Sequence, residues 1–143
     1  MKKLFLFIIS VMFSMQIFSQ INADTIISND KNKLRVQVLY FHITDRCNTC
    51  RSIEANVRKT IDAYFQKELK SGELDLYILN CELQKNDSLV KIYDAYGATL
   101  AITPCVKGKA GKIEDITTWA FQKVHNSDVF LSELKEKIEK YIK

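Results

Sequence analysis

The feature that most constrains this chain is a change of hydrophobic period across a pair of cysteines. The run RVQVLYFHI (Arg35 to Ile43) is β-branched and aromatic and has the length of a buried strand. From Cys50 onward the apolar residues Ile53, Val57, Ile61, Tyr64, Phe65 and Leu69 recur three or four apart. That spacing makes one stripe on a long helix, closed by Gly72 as its C-terminal stop. Cys47 and Cys50, as Cys-Asn-Thr-Cys, stand at the junction of the two elements.

The rest of the chain continues in the same alternation. ELDLYILN (Glu73 to Asn80) reads as a second strand. NDSLVKIYDAYG opens with capping residues, carries Leu89, Ile92, Tyr93 and Tyr96 on one helical face, and stops at Gly97. TLAITPCVKG and GKIEDI are two short strands, and the glycines of KGKAGK suit a hairpin between them. TTWAFQKVHNS fits one short helix, with Trp119 as packing, and Asp128 to Ile142 has Phe130, Leu131, Leu134, Ile138 and Tyr141 at helical spacing. The expected order is β-α-β-α-β-β-α, an α/β domain with a central mixed sheet and helices on both faces.

At 143 residues there is room for one domain with a self-sufficient core. One stretch departs from the average composition. MKKLFLFIISVMFSMQIFSQ begins with two lysines and then runs uncharged from Leu4 to about Phe18. A basic start, a short apolar run and small or polar residues beyond it describe a secretory signal peptide over 1–19, cleaved between about 19 and 24. A membrane-spanning anchor is the weaker reading, because about 20 apolar residues are needed to cross a bilayer. A linker over 20–33 then leads to a domain over 34–143, in a periplasmic or secreted protein where disulfides persist. Loss of Lys2 and Lys3 with the signal lowers the formal charge of +4 by two. The remaining charges are mixed, with no nucleic-acid footprint, glycine-rich phosphate loop or stable anchor after cleavage.

The cysteine pair has three readings at this point: a redox centre, a soft-metal or metalloid site, and a structural bridge. The thiolate is the reactive species in disulfide exchange. A cysteine at a helix N-terminus meets unpaired N–H groups and the positive end of the helix dipole, both of which favour the anion. Cys47 is therefore the expected attacking thiolate and Cys50, one turn on, the resolving thiol. Arg46 and Arg51 flank the pair, with Asp45 partly offsetting them. A zinc site needs four ligands as a rule, yet Cys81 and Cys105 are isolated and His42 and His125 have no paired spacing. No cofactor is expected, so turnover needs a redox partner protein or a thiol or disulfide protein substrate.

A Cys-x-x-Cys at a strand-to-helix junction in an α/β setting resembles the thioredoxin-like redox proteins. The resemblance runs from about Arg35 to Lys143. More narrowly, YFHITDRCNTCRSIEANV is similar to a bacterial thioredoxin-like family found with arsenic-resistance genes and labelled a nitrophenyl compound nitroreductase subunit. No residue here supports nitroreductase chemistry. The resemblance implies thiol–disulfide exchange by Cys47 and Cys50, and a cis-proline opposite them at the start of the third strand, the place it assigns to Pro104. Cys105 would then lie near the pair, as an extra resolving thiol or as a third ligand with Cys47 and Cys50 for arsenite or Cu(I). Where thioredoxins carry a buried acid, this chain has Phe41, so His42 is the candidate base. Arg46 replaces the usual tryptophan, and Asn-Thr replaces Gly-Pro between the cysteines.

Overall fold

The computed structural model describes residues 32–143. The expected signal peptide, and the linker up to residue 31, lie outside the described residues. Strand β1 (Val36–His42) leads into helix α1 (Asn48–Tyr64), short helix α2 (Gln66–Ser71) and strand β2 (Leu74–Asn80). A single 3-10 turn (Gln84–Asn86) precedes α3 (Asp87–Tyr93). Then follow β3 (Thr99–Val106), β4 (Lys109–Ala110), β5 (Glu114–Asp115), α4 (Thr117–Lys123) and α5 (Ser127–Ile142).

β1 is the hub of the sheet. It pairs in parallel with β2, Val36 opposite Leu74 through His42 opposite Asn80, and antiparallel with β3, Phe41 opposite Thr99 through Val36 opposite Pro104. β4 and β5 both pair antiparallel with β3, at Cys105–Val106 and at Ala101–Ile102, so together they form a fourth strand interrupted at 111–113. The turn between β3 and β4 is Lys107–Gly108, both at positive φ (49° and 73°), the backbone of a two-residue hairpin that glycine adopts without strain. Gly111 permits the interruption: its N–H reaches the Pro104 carbonyl at 2.7 Å, and a Cβ there would press on Pro104 at 3.2 Å.

The strand alternation divides the core in two. Val36, Val38 and Tyr40 face α1, α4 and α5, where Ile53, Val57, Ile61, Phe130, Leu134 and Ile138 complete a buried cluster. Leu39 and Phe41 face the other way, toward Leu79, Val90 and Ala95 under α3. Parallel β1 and β2 joined by a helical crossover, then an antiparallel hairpin, with helices on both faces, is a thioredoxin-like α/β fold.

Three local expectations need correction. The first helix is not continuous to Leu69: it ends at Tyr64, and Phe65 takes a non-helical conformation (φ −128°). The bend buries Phe65 in the core and lets α2 end at Gly72 in the left-handed region. α3 stops at Tyr93, with Asp94 at φ 50°; of the expected face Leu89 and Tyr93 pack against the cluster, Ile92 and Tyr96 stand 64% and 69% exposed, and Val90 is buried instead. No peptide bond among the described residues is cis, Pro104 included. Pro104 sits inside β3, where its carbonyl serves Gly111 and the neighbouring Cys105 N–H donates to the Arg35 carbonyl at 2.6 Å. The residues that lead into the third strand are Gly97 and Ala98.

On the α3 face one carboxylate is buried against the sheet. Asp75 is 3% exposed, and its Oδ2 accepts the Tyr77 hydroxyl at 3.0 Å. Burial raises the Asp75 carboxyl above its ordinary value, and burial with the Asp75 charge pushes the Tyr77 hydroxyl up to about 12. A carboxyl raised in the folded state stabilises the fold when protonated, and this contribution is lost as pH rises from the unfolded value of about 4 through the folded one. D75N keeps an acceptor for Tyr77 and removes the charge. Thermal unfolding is expected to show D75N more stable than the parent at pH 7, with the difference closing toward pH 3. A D75N protein less stable at pH 7 would contradict this.

Candidate functional site

The site is built at the carboxyl end of β1. The segment 43–46 links His42 to the helix and is tied to the end of β2. The Thr44 N–H donates to Glu82 Oε2 (2.8 Å), and Asn80 Nδ2 donates to Thr44 Oγ1 (2.9 Å). Asn80 also accepts the Glu82 N–H through its side chain (2.9 Å), while Asn86 Nδ2 donates to its carbonyl (2.8 Å). The Thr44 bonds hold the Glu82 carboxyl below its ordinary value. This polar lattice fixes the point from which the chain turns into α1.

Cys47 is the N-cap of α1. Its backbone is extended (φ −69°, ψ 163°), its carbonyl receives the Arg51 N–H (3.1 Å), and its sulfur accepts the Cys50 N–H (3.2 Å). It thus takes the place usually filled by a Ser, Thr, Asp or Asn oxygen at a helix start. The two sulfurs touch at 2.6 Å, both as free cysteines, with Cys47 exposed and Cys50 half-buried. The pair is electrostatically unequal. The Cys47 thiol is lowered, first by the hydrogen bond from the Cys50 side chain and then by backbone N–H groups of the first turn. The Cys50 thiol is raised, first by burial and then by its contact with Cys47. One sulfur is accessible and favours the anion, and its neighbour favours the neutral thiol. This is the division of labour that nucleophilic attack and resolution require.

The other expected site residues fall in different places. Arg46 directs its guanidinium at Glu54, which Arg58 also engages (2.7 Å), so Arg46 acts as a brace along α1. The His42 ring lies 2.9 Å through Nδ1 from the Ile43 carbonyl and 6.5 Å from the Tyr40 ring; no hydrogen bond joins it to either sulfur. Pro104 and Cys105 are not at this end at all. Pro104 pairs with Val36, six strand residues from His42, or roughly 20 Å at about 3.3 Å per residue. The expected cis-proline contact and the three-thiol ligand set of Cys47, Cys50 and Cys105 are therefore not assembled. Their placement came from the resemblance, which sets a proline at the start of the third strand; the strand runs from Thr99, as TLAITPCVKG predicts, and leads away from the cysteine pair with Pro104 near its far end. Cys105 is buried on the α3 face, its thiol raised by burial and by the Asp75 charge. No group of three or more His, Cys, Asp or Glu among the described residues could hold a metal ion. Cys81 is half-buried beside the α3 cluster, and its N–H donates to the His42 carbonyl (2.8 Å).

One side chain that the sequence reading passed over reaches the pair. Tyr40 is buried on the α1 side of β1 and donates its hydroxyl to the Cys50 carbonyl at 2.9 Å. The signal was present in the alternation of β1: Val36, Val38 and Tyr40 share the face turned to α1, and Tyr40 is the one among them with a polar tip.

Among solved structures the chain is similar to thioredoxin of Fasciola hepatica (20% identity over 78% of this chain and 85% of that one, TM-score 0.46). It is also similar to mitochondrial thioredoxin 3 of Saccharomyces cerevisiae in its oxidised form (15% identity, 65% and 78% covered, TM-score 0.41). No protein-family model and no curated protein matches the chain.

The geometry orders the four thiols by reactivity. Iodoacetamide at pH 7 is expected to label Cys47 first, Cys50 and Cys81 much more slowly, and Cys105 only after denaturation, as read by peptide mass spectrometry. The pH midpoint for Cys47 is expected below the ordinary thiol value of about 8.5. Faster labelling of Cys50 than of Cys47 would reverse the assignment of the two sulfurs.

Proposed function

We propose that this protein is a thiol–disulfide oxidoreductase that works through Cys47 and Cys50. The observation that carries the reading is the inequality of the pair: an exposed Cys47 sulfur supported by the first turn of α1, touching a half-buried Cys50 whose thiol is raised by burial. In the reducing direction the Cys47 thiolate attacks one sulfur of a substrate disulfide and expels the other as a thiolate. The mixed disulfide is then resolved when Cys50 loses its proton and attacks the Cys47 sulfur, releasing the second substrate thiolate. The substrate gains two electrons and the protein becomes the Cys47–Cys50 disulfide, which a dithiol partner protein must reduce. Run backwards, the same steps deliver a disulfide to a dithiol substrate.

The proposed substrate class is a protein thiol or disulfide, which the exposed Cys47 at the sheet end leaves room to dock. The expected site of action is the periplasm or the exterior, on the strength of Lys2-Lys3 followed by the uncharged run from Leu4 to about Phe18. Among the described residues no helix is long and apolar enough to cross a membrane. A closer kinship with the arsenic-associated thioredoxin-like family is proposed on the residues around the cysteine pair alone.

Insulin reduction driven by dithiothreitol tests the reading. The parent protein is expected to accelerate it, C47S to fall to the uncatalysed rate, and C50S to stall as a mixed disulfide through Cys47 visible by intact mass. Acceleration that survives in C47S would remove Cys47 from the mechanism.

A further inference from the structure

The Cys50 residue is gripped at three points. Its N–H donates to the Cys47 sulfur (3.2 Å), its own sulfur touches the same atom (2.6 Å), and its carbonyl accepts the Tyr40 hydroxyl (2.9 Å). The first two are the contacts that favour the Cys47 anion. The third comes from the central strand, from a side chain 1% exposed in the core beneath α1. We propose that Tyr40 is a positioning residue for the Cys47–Cys50 couple: by holding the Cys50 carbonyl it fixes the N–H and thiol that support the Cys47 sulfur, and so favours the reduced state of the pair. The inference rests on the reading of that pair as a redox centre.

Physical reasons support more than a packing role. A hydrogen bond in a water-poor setting is stronger and more directional than one at the surface. The hydroxyl presents its positive end to the first turn of α1, adding to the field that already favours an anion there. The neighbours leave this task to Tyr40. Phe41 faces the opposite cluster, the His42 ring lies against the Ile43 carbonyl, and Arg46 is engaged by Glu54. The charged and titratable groups around the Tyr40 hydroxyl are Cys50, Arg46, Glu54 and Cys47. Burial, the largest influence, together with Cys50 raises that hydroxyl above the ordinary tyrosine value, so it remains a donor throughout the range in which Cys47 titrates.

Y40F keeps the ring and removes the donor. Three quantities are read on parent and variant: the equilibrium constant for disulfide formation against glutathione, the pH midpoint of Cys47 alkylation, and the thermal midpoint. In Y40F the equilibrium is expected to move at least threefold toward the disulfide, and the alkylation midpoint to rise. V57A, a cavity in the same core with no hydrogen bond to the motif, is expected to lower the thermal midpoint and leave the other two unchanged. Should Y40F fail to fold, 3-fluorotyrosine placed at position 40, a stronger donor, is expected to move the equilibrium toward the dithiol. A Y40F protein with parental equilibrium and parental alkylation midpoint overturns the proposal and leaves Tyr40 as packing, as does a 3-fluorotyrosine protein without a shift. A parent that forms no Cys47–Cys50 disulfide defeats the redox reading itself, and the inference falls with it.

Discussion

β1 has no free side. β2 and β3 hydrogen-bond its two edges, the α1 and α5 side chains cover one face, and the α3 cluster covers the other. Burying a large apolar side chain contributes about 1.5–3 kcal/mol, whereas an exposed ion pair such as Lys135–Glu139 contributes at most about 1 kcal/mol. The position of β1 is therefore set by Val36, Val38, Leu39, Tyr40 and Phe41, and surface charge has little say in it. Everything at the site inherits that constraint. The strand ends at His42, and the Thr44, Asn80 and Glu82 lattice turns the chain. Cys47 then arrives at the head of a helix already anchored through Ile53, Val57 and Ile61.

A stiff support matters because the chemistry depends on small distances. The anion at Cys47 is favoured by donors of one turn, and moving them by an ångström would weaken each. Hydrogen bonds and burial lead the influences on the two thiols, and the arginine next to Cys47 is otherwise engaged. Arg46, adjacent in sequence, is drawn to Glu54, which also binds Arg58. The inequality of the two thiols thus arises from burial and short-range hydrogen bonds. Such effects are less sensitive to salt than attraction between exposed charges.

Much of this was legible in the chain. The change from strand to helical period around Cys47 and Cys50 pointed to the candidate site, and the order of elements led to the α/β plan. Periodicity identifies a face but does not set register, and the errors follow from that. TLAITPCVKG reads as a strand from Thr99, yet the resemblance sets a proline at the start of the third strand and so puts Pro104 beside the cysteine pair. In the structure the strand begins two residues after Gly97, which carries Pro104 and Cys105 to the far end. The bend at Phe65 escaped notice because Phe65 and Leu69 continue the apolar stripe; only the demands of the core separate them from α1. In α3 the apolar stripe splits: Leu89 and Tyr93 turn with Val90 toward the sheet, and Ile92 and Tyr96 turn to solvent. Tyr40 was overlooked because a tyrosine in a strand reads as packing until the helix above it is placed.

The most direct test of the central claim is a redox titration of the protein against glutathione, with the disulfide mapped by mass spectrometry. The account predicts one two-electron transition that joins Cys47 to Cys50, with Cys81 and Cys105 remaining free thiols across it. No transition over the accessible range, or a bridge that includes Cys81 or Cys105, would contradict it.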